Sequence, residues 1–176
     1  EMRDGETAQI AVQSALTGHL VLSTLHTNTA VGAVVRMHDM GVEPYLITSS
    51  VNGVLSQRLV RCLCSHCKVP ETPTAALRHS TGLERYLPAG QPIYHAVGCE
   101  RCRGTGYQGR TGIHELLMLD DALRRRVIDG ADASVLHQCA VEAGMISLYE
   151  DGLRKVAAGL TSLDELLRVT EVHSDA

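Results

Sequence analysis

Two Cys-x-x-Cys pairs, Cys64-Ser65-His66-Cys67 and Cys99-Glu100-Arg101-Cys102, stand thirty-one residues apart in a chain of 176. Each pair can bend so that two thiolates face one ion, and two such knuckles complete a tetrahedral Cys₄ site. That pattern predicts a structural Zn²⁺ held by Cys64, Cys67, Cys99 and Cys102, with no open coordination position and hence no catalytic role. Gly104 and Gly106, just past the second pair, supply the permissive backbone that a knuckle turn needs. The interval exceeds the usual spacing of about 15–20 residues, so the metal lobe must carry an inserted excursion. Two further cysteines argue against a disulfide framework: Cys62 is expected as a strand side chain and Cys139 as a small buried apolar residue. His66, inside the first knuckle, is expected to be a solvent-facing spacer.

Outside the knuckles the punctuation is that of an α/β fold. Asp4 can cap a helix running to Leu16, with Gly18 ending it. His19 to Leu25 reads as a short buried strand, and Thr27 or Asn28 can cap a helix through Met40. Helix, strand, helix is the cadence of a parallel sheet, where ligands gather at the carboxyl ends of strands, the place where His26 falls. Pro44 opens another helix, Gln57–Cys62 reads as a strand, and residues 68–92, with four of the five prolines, read as irregular. Tyr107–Leu119 reads as strand again. Four short helices follow: one starts at Asp120 or Asp121, one spans Ala133 to Gly144, and two open on the capping boxes Ser147-x-x-Glu150 and Ser162-x-x-Glu165. The run Arg124 to Arg126 reads as a solvated helix face.

Composition narrows the class. There is no Trp and no Phe, so a domain that stacks bases on aromatic rings is disfavoured. Sixteen Lys and Arg against twenty Asp and Glu give a net charge of −4, unlike a basic nucleic-acid binder or a polybasic membrane anchor. No apolar run approaches the roughly 20 residues of a membrane-spanning helix. The opening Glu1-Met2-Arg3-Asp4 is neither a chain start nor a signal peptide, which suggests a piece of a longer protein. On the residues alone, a lone histidine such as His26 is more often a satisfied structural residue than a ligand to substrate, and a terminal Glu1 carries no signal.

The wording around those residues adds a resemblance. Glu1-Met-Arg-Asp4, followed by Glu6-Thr-Ala8 and then Thr17-Gly-His-Leu-Val-Leu-Ser-Thr-Leu-His-Thr-Asn28, resembles the ATPases that drive type II secretion and type IV pilus assembly. The likeness continues through Met40-Gly-Val-Glu-Pro44, Gln57-Arg-Leu-Val-Arg61, Gly106-Tyr-x-Gly-Arg-Thr-Gly-Ile-His-Glu-Leu116 and Gly159 to Thr170. It covers nearly the whole chain, and the metal lobe with Leu119-Asp-Asp-Ala122 leans toward the type II, GspE-like branch. The resemblance implies a partial RecA-like P-loop core (residues 1–60), an inserted tetracysteine module (61–108), and a returning strand with a C-terminal helical bundle (109–176). It implies ATP and Mg²⁺ as cofactors of the whole protein, a homo-hexamer, and inner-membrane platform partners. It also implies a cytoplasmic location peripheral to that membrane, with no direct insertion and no nucleic acid. Glu1 would be the Walker B glutamate, His26 the histidine-box residue that reports on the γ-phosphate, and Arg3, Asp4 and His19 nucleotide-site support. No G-x-x-x-x-G-K-[ST] occurs in these residues, so the chain alone is expected neither to bind ATP tightly nor to hydrolyse it. Two alternatives stand beside this: a pilus-assembly ATPase, and a zinc-ribbon binding module. The second is motivated by Cys99-x-x-Cys-x-Gly-x-Gly106, which resembles co-chaperone zinc repeats.

Overall fold

The computed structural model describes residues 1–171, so the end of the segment expected to run to position 176 lies outside the described residues. In chain order the helices are α1 (Gly5–Leu16), α2 (Ala30–Asp39), α3 (Pro44–Ser50), α4 (Ala75–Thr81), α5 (Asp121–Ile128), α6 (Ala133–Glu142), α7 (Leu148–Ala157) and α8 (Leu163–Glu171). The strands are β1 (Gly53–Leu63), β2 (Val69–Glu71), β3 (Ile93–His95) and β4 (Tyr107–Met118). β1 pairs with β4, and β2 pairs antiparallel with β3 in the register Val69 to His95. The chain is thus α/β, and no described helix is long and apolar enough to cross a membrane.

Two compact units cut across chain order: residues 1–56 with 115–146, and residues 57–114 with 147 onward. In the first, α1, α2, α3, α5 and α6 surround a core of Ala8, Val12, Val34, Ile47, Leu117, Leu123 and Leu136. Asp4 starts α1 by accepting the Thr7 N–H at 2.8 Å. Gly5 lets that helix approach closely, since a Cβ there would lie 2.5 Å from the Met40 carbonyl oxygen. The cap of α2 is Thr29 rather than Thr27 or Asn28. Thr29 has extended backbone and its Oγ1 reaches the Gly32 N–H at 3.0 Å, while Thr27 donates its hydroxyl to the Thr29 carbonyl. The expected strand at 19–25 does not form. Met2 N–H bonds the Thr24 carbonyl at 2.9 Å, but no described ladder runs alongside, and Leu20 and Leu22 are 84% and 87% exposed. Buried apolar strands need neighbours on both edges, and the described chain brings none to this one.

The second unit packs Val60, Leu83, Ile93, Ile113, Leu153, Val156 and Leu166. The excursion is more regular than its prolines imply. Thr74 caps α4 by accepting from Leu77 N–H, a 3₁₀ turn follows at Leu83–Arg85, and β2 and β3 close it. α7 begins with both bonds of the Ser147–Glu150 capping box. Gly152 sits mid-helix at a propensity cost of about 1 kcal/mol. A Cβ there would lie 2.1 Å from the side chain of Leu166, which is fully buried.

The Ser162 hydroxyl accepts the Glu165 N–H at 3.1 Å, as a cap should. The Glu165 carboxylate, however, turns to two arginines, Arg168 one turn on and the distant Arg61. Its Oε1 accepts from Arg61 N–H (3.0 Å) and Arg168 Nη2 (2.7 Å), and its Oε2 accepts from Arg61 Nη2 (2.7 Å) and Arg168 Nε (2.8 Å). Arg61 also lies over the Tyr107 ring, 4.0 Å from its centre. Burial by itself raises the Glu165 pKa, but Arg168, Arg61 and the backbone donor outweigh it and bring the carboxyl down to about 2. A carboxyl depressed in the fold stabilises above its unfolded pKa and loses that contribution as pH falls through its folded one, here worth on the order of 2–3 kcal/mol. Denaturant unfolding of this unit should therefore weaken from about pH 4.5 towards 2. Glu165→Gln should flatten that fall and lower stability at pH 7.

Candidate functional site

The four knuckle cysteines converge. Sγ–Sγ separations are 3.9 Å for Cys64–Cys99 and 3.8 Å for both Cys67–Cys102 and Cys99–Cys102, and all four sulfurs lie within 4.8 Å of one another. A tetrahedron with metal–sulfur bonds of about 2.3 Å has edges of about 3.8 Å, so the set fits a thiolate-bound metal ion. The knuckles are shaped by backbone. Cys64 N–H bonds the Gly106 carbonyl at 2.9 Å, joining the end of β1 to the turn before β4. Arg103, at φ 55, and Gly104, at φ 78, wrap the second knuckle. Cys99 N–H (3.1 Å) and Gly106 N–H (3.2 Å) both donate to Cys102 Sγ.

These donors set the electrostatics. Burial pushes the Cys102 thiol up, but the two N–H bonds prevail and bring it down to about 6. Cys67, raised chiefly by burial and by the neighbouring thiols, sits at about 11. Four thiols this close cannot all ionise without a cation among them, the electrostatic condition that a divalent ion meets.

None of the six cysteines is in a disulfide. Cys62 lies on β1, half-buried, and is not one of the converging four. Cys139 packs, half-buried, against the first unit's core. His66 is exposed, its ring nitrogens bonded to Arg101 Nη1. Gly106 supplies more than turn freedom: its N–H donates to Cys102 Sγ, one of the four converging sulfurs. A backbone donor leaves no side-chain signature in sequence.

A second cluster lies in the first unit. Glu1 Oε1 meets His26 Nε2 at 2.7 Å, and Glu1 Oε2 accepts from Arg3 Nη2 at 2.7 Å. Arg3, with His26 adding to it, holds the Glu1 carboxyl below its usual range against some desolvation. The Glu1 side chain is 28% exposed and the His26 ring 88%. Asp4 and His19 serve α1 instead: Asp4 caps its start, and His19 Nδ1 lies 3.2 Å from Thr17 Oγ1 and 3.3 Å from the Ser14 carbonyl.

The family model described as Type II/IV secretion system protein matches residues 1–168. The chain belongs to that family. Type II secretion system ATPase E of Vibrio cholerae is 53% identical over 171 residues, covering 97% of this chain and 33% of that protein. The type IV pilus assembly ATPase PilB of Thermus thermophilus is 49% identical over 170 residues, covering 97% of this chain and 19% of that protein. The chain spans about a third of the length of the type II curated relatives it matches. The fold is shared with the crystal structure of the pilus retraction motor PilT with bound ADP, at a TM-score of 0.61 and 24% identity. That match covers 96% of this chain and 37% of that one and bears on fold alone.

Metal should prove integral to the second unit. Chelation should release one ion per chain and open residues 61–108 to protease, because metal binding and folding are coupled. Cys102→Ser should do the same, while Cys62→Ser and Cys139→Ser leave the metal-to-protein ratio unchanged. Elemental analysis with limited proteolysis reads both.

Proposed function

We propose that this chain forms one wall of the nucleotide site of an ATP-hydrolysing motor for type II protein secretion. The reading rests on the cluster of Glu1, Arg3 and His26 within a chain of this family. In it, Glu1 is the Walker B glutamate. Arg3 keeps the carboxylate charged, so that it orients and polarises the attacking water. His26, exposed and paired only through its tip, is free to turn toward a γ-phosphate. Asp4 and His19 support the site at one remove, by fixing the start and the end of α1 beside it. Phosphoryl transfer depends on positioning and charge neutralisation, and the phosphate cradle and Mg²⁺ ligands must come from a P-loop outside these residues.

The metal is zinc on this reading, structural and four-coordinate, since thiolate sets of this geometry favour it. Residues 1–60 belong to a RecA-like core and 61–108 form the zinc module; after the returning strand, α5 and α6 complete the first unit and α7 and α8 the second. The whole protein works as a cytoplasmic hexamer docked to inner-membrane platform proteins. Type II secretion relatives run from 48% to 54% identity and PilB lies among them at 49%, so the secretion branch rests on the wording of the cysteine module and of Leu119-Asp-Asp-Ala122.

The test is a chimera in which the matching third of the Vibrio cholerae protein is replaced by this chain. Glu1→Gln should lower kcat by about 10²–10⁴ with KM for ATP little changed. His26→Ala should lower kcat less. The isolated chain should turn over no more ATP than its own Glu1→Gln variant. A Glu1→Gln chimera running at the parental rate overturns the reading.

A further inference from the structure

The motif ending Gly112-Ile113-His114-Glu115-Leu116 contains a residue that neither the metal centre nor the Glu1 cluster uses. Glu115 is 2% exposed, one of two buried glutamates among the described residues. Alternation along β4 explains its direction: Ile113, Glu115 and Leu117 are buried while His114, Leu116 and Met118 are exposed. A carboxylate in that row requires a partner of fitting charge. Its Oε1 accepts the backbone N–H of Ala30, 85 residues away, at 2.8 Å.

Ala30 is the first helical residue of α2 and is itself fully buried. The N–H of a first helical residue has no partner inside its helix, and here water cannot reach it. Glu115 supplies a charged acceptor at the positive end of the helix, the arrangement in which such a bond is strongest. Only Thr27, Asn28 and Thr29 separate Ala30 from His26. That loop is tied down further by Thr27 Oγ1 donating to the Thr29 carbonyl and by Thr29 Oγ1 accepting from Gly32. Gly32 leaves room for it, since a Cβ there would lie 3.0 Å from Thr29 Oγ1. On the other side, Met2 N–H bonds the Thr24 carbonyl, fixing the chain next to Glu1 against the chain just before His26.

We infer that Glu115 is a positioning residue for His26: by anchoring the Ala30 N–H it sets where the His26 loop begins and so holds the imidazole against Glu1. It touches neither nucleotide nor reacting atoms. The inference rests on the reading of Glu1 and His26 as the nucleotide-facing pair, but its structural half stands without it.

The test separates the two. In the 176-residue chain, NMR should show a through-space cross-peak between the His26 ring and the Glu1 side chain. Glu115→Ala should abolish it while methyl signals of Val34 and Leu117 keep their folded positions. Glu115→Gln, which keeps an acceptor for Ala30, should retain it. If Glu115→Ala does not fold, Ala30→Pro takes its place: proline is favoured at a first helical position, and Thr29, at φ −133 and ψ 162, suits the residue before it. It removes the donor, adding two ring carbons at a buried position, and should abolish the cross-peak likewise. In the chimera, Glu115→Ala should lower kcat about tenfold or more with KM for ATP within about twofold, and Glu115→Gln should restore it. A cross-peak that persists in the folded Glu115→Ala or Ala30→Pro chain overturns the inference. Loss of the cross-peak with undiminished turnover in the Glu1→Gln chimera sinks the nucleotide-site reading and leaves the tether standing.

Discussion

A buried carboxylate that receives a backbone N–H from a distant stretch of chain organises each of the two units. In the first, Glu115 holds Ala30; in the second, Glu165 holds Arg61. Among the described residues these are the buried acids, at 2% and 1% exposed. Neither can be left alone, because an unpaired charge in low dielectric costs several kcal/mol, more than most single contacts return. The segments carrying donor and acceptor must therefore meet whenever the unit is folded. A core with no Phe or Trp gives aliphatic packing that is strong but weakly directional, and these bonds supply the direction.

The metal lobe is built into the same framework. Leu63 N–H bonds the Leu160 carbonyl at 2.8 Å and Thr161 Oγ1 donates to the Arg61 carbonyl, so the last turn of β1 before the first knuckle is bonded along the α7–α8 connection. Lys68, directly after Cys67, donates to the Gly159 carbonyl at 2.8 Å and lies over the Tyr94 ring. Glycine is required at 159: its φ is 66, and a Cβ there would lie 2.9 Å from that ring. The cysteine cluster thus fixes more than its own loop. It sets the end of β1, against which the Glu165 carboxylate and the last two helices are registered.

Local chemistry was legible in the sequence; distant pairing was not. Asp4, Asp120 and the Ser147–Glu150 box announce helix starts because a cap acts over three residues, and each does so here. The paired Cys-x-x-Cys wording announces the cluster for the same reason, since each knuckle is a local turn and the four sulfurs lie close enough to share one ion. Ser162-x-x-Glu165 reads as a full box, yet Arg61, 104 residues away, and Arg168 occupy its carboxylate. A charged partner that far off competes invisibly with a backbone N–H three residues back. The segment 19–25 fails in the opposite sense: its apolar run describes a strand correctly only if neighbours exist to pair with it, and edge partners are not written in the run itself. Residues 68–92 look irregular by proline count, but Pro73 and Pro88 flank α4 and its following turn, where proline punctuates elements without preventing them.

The pair of Glu1 and His26 shows the same division of labour at smaller scale. The His26 ring is 88% exposed, while four residues on Ala30 is fully buried, capped and bonded to a buried acid. On the proposed reading His26 responds to a ligand, which needs freedom at its tip, but the entropy of that freedom becomes a geometric error unless the root is fixed. Burying the root in the helical core and leaving the tip in solvent satisfies both demands. It also places the sequence signal unevenly: the exposed imidazole is the part that a motif names, and the glutamate that fixes its loop sits 85 residues beyond Ala30 on a strand, where alternation alone would have asked for a hydrophobe.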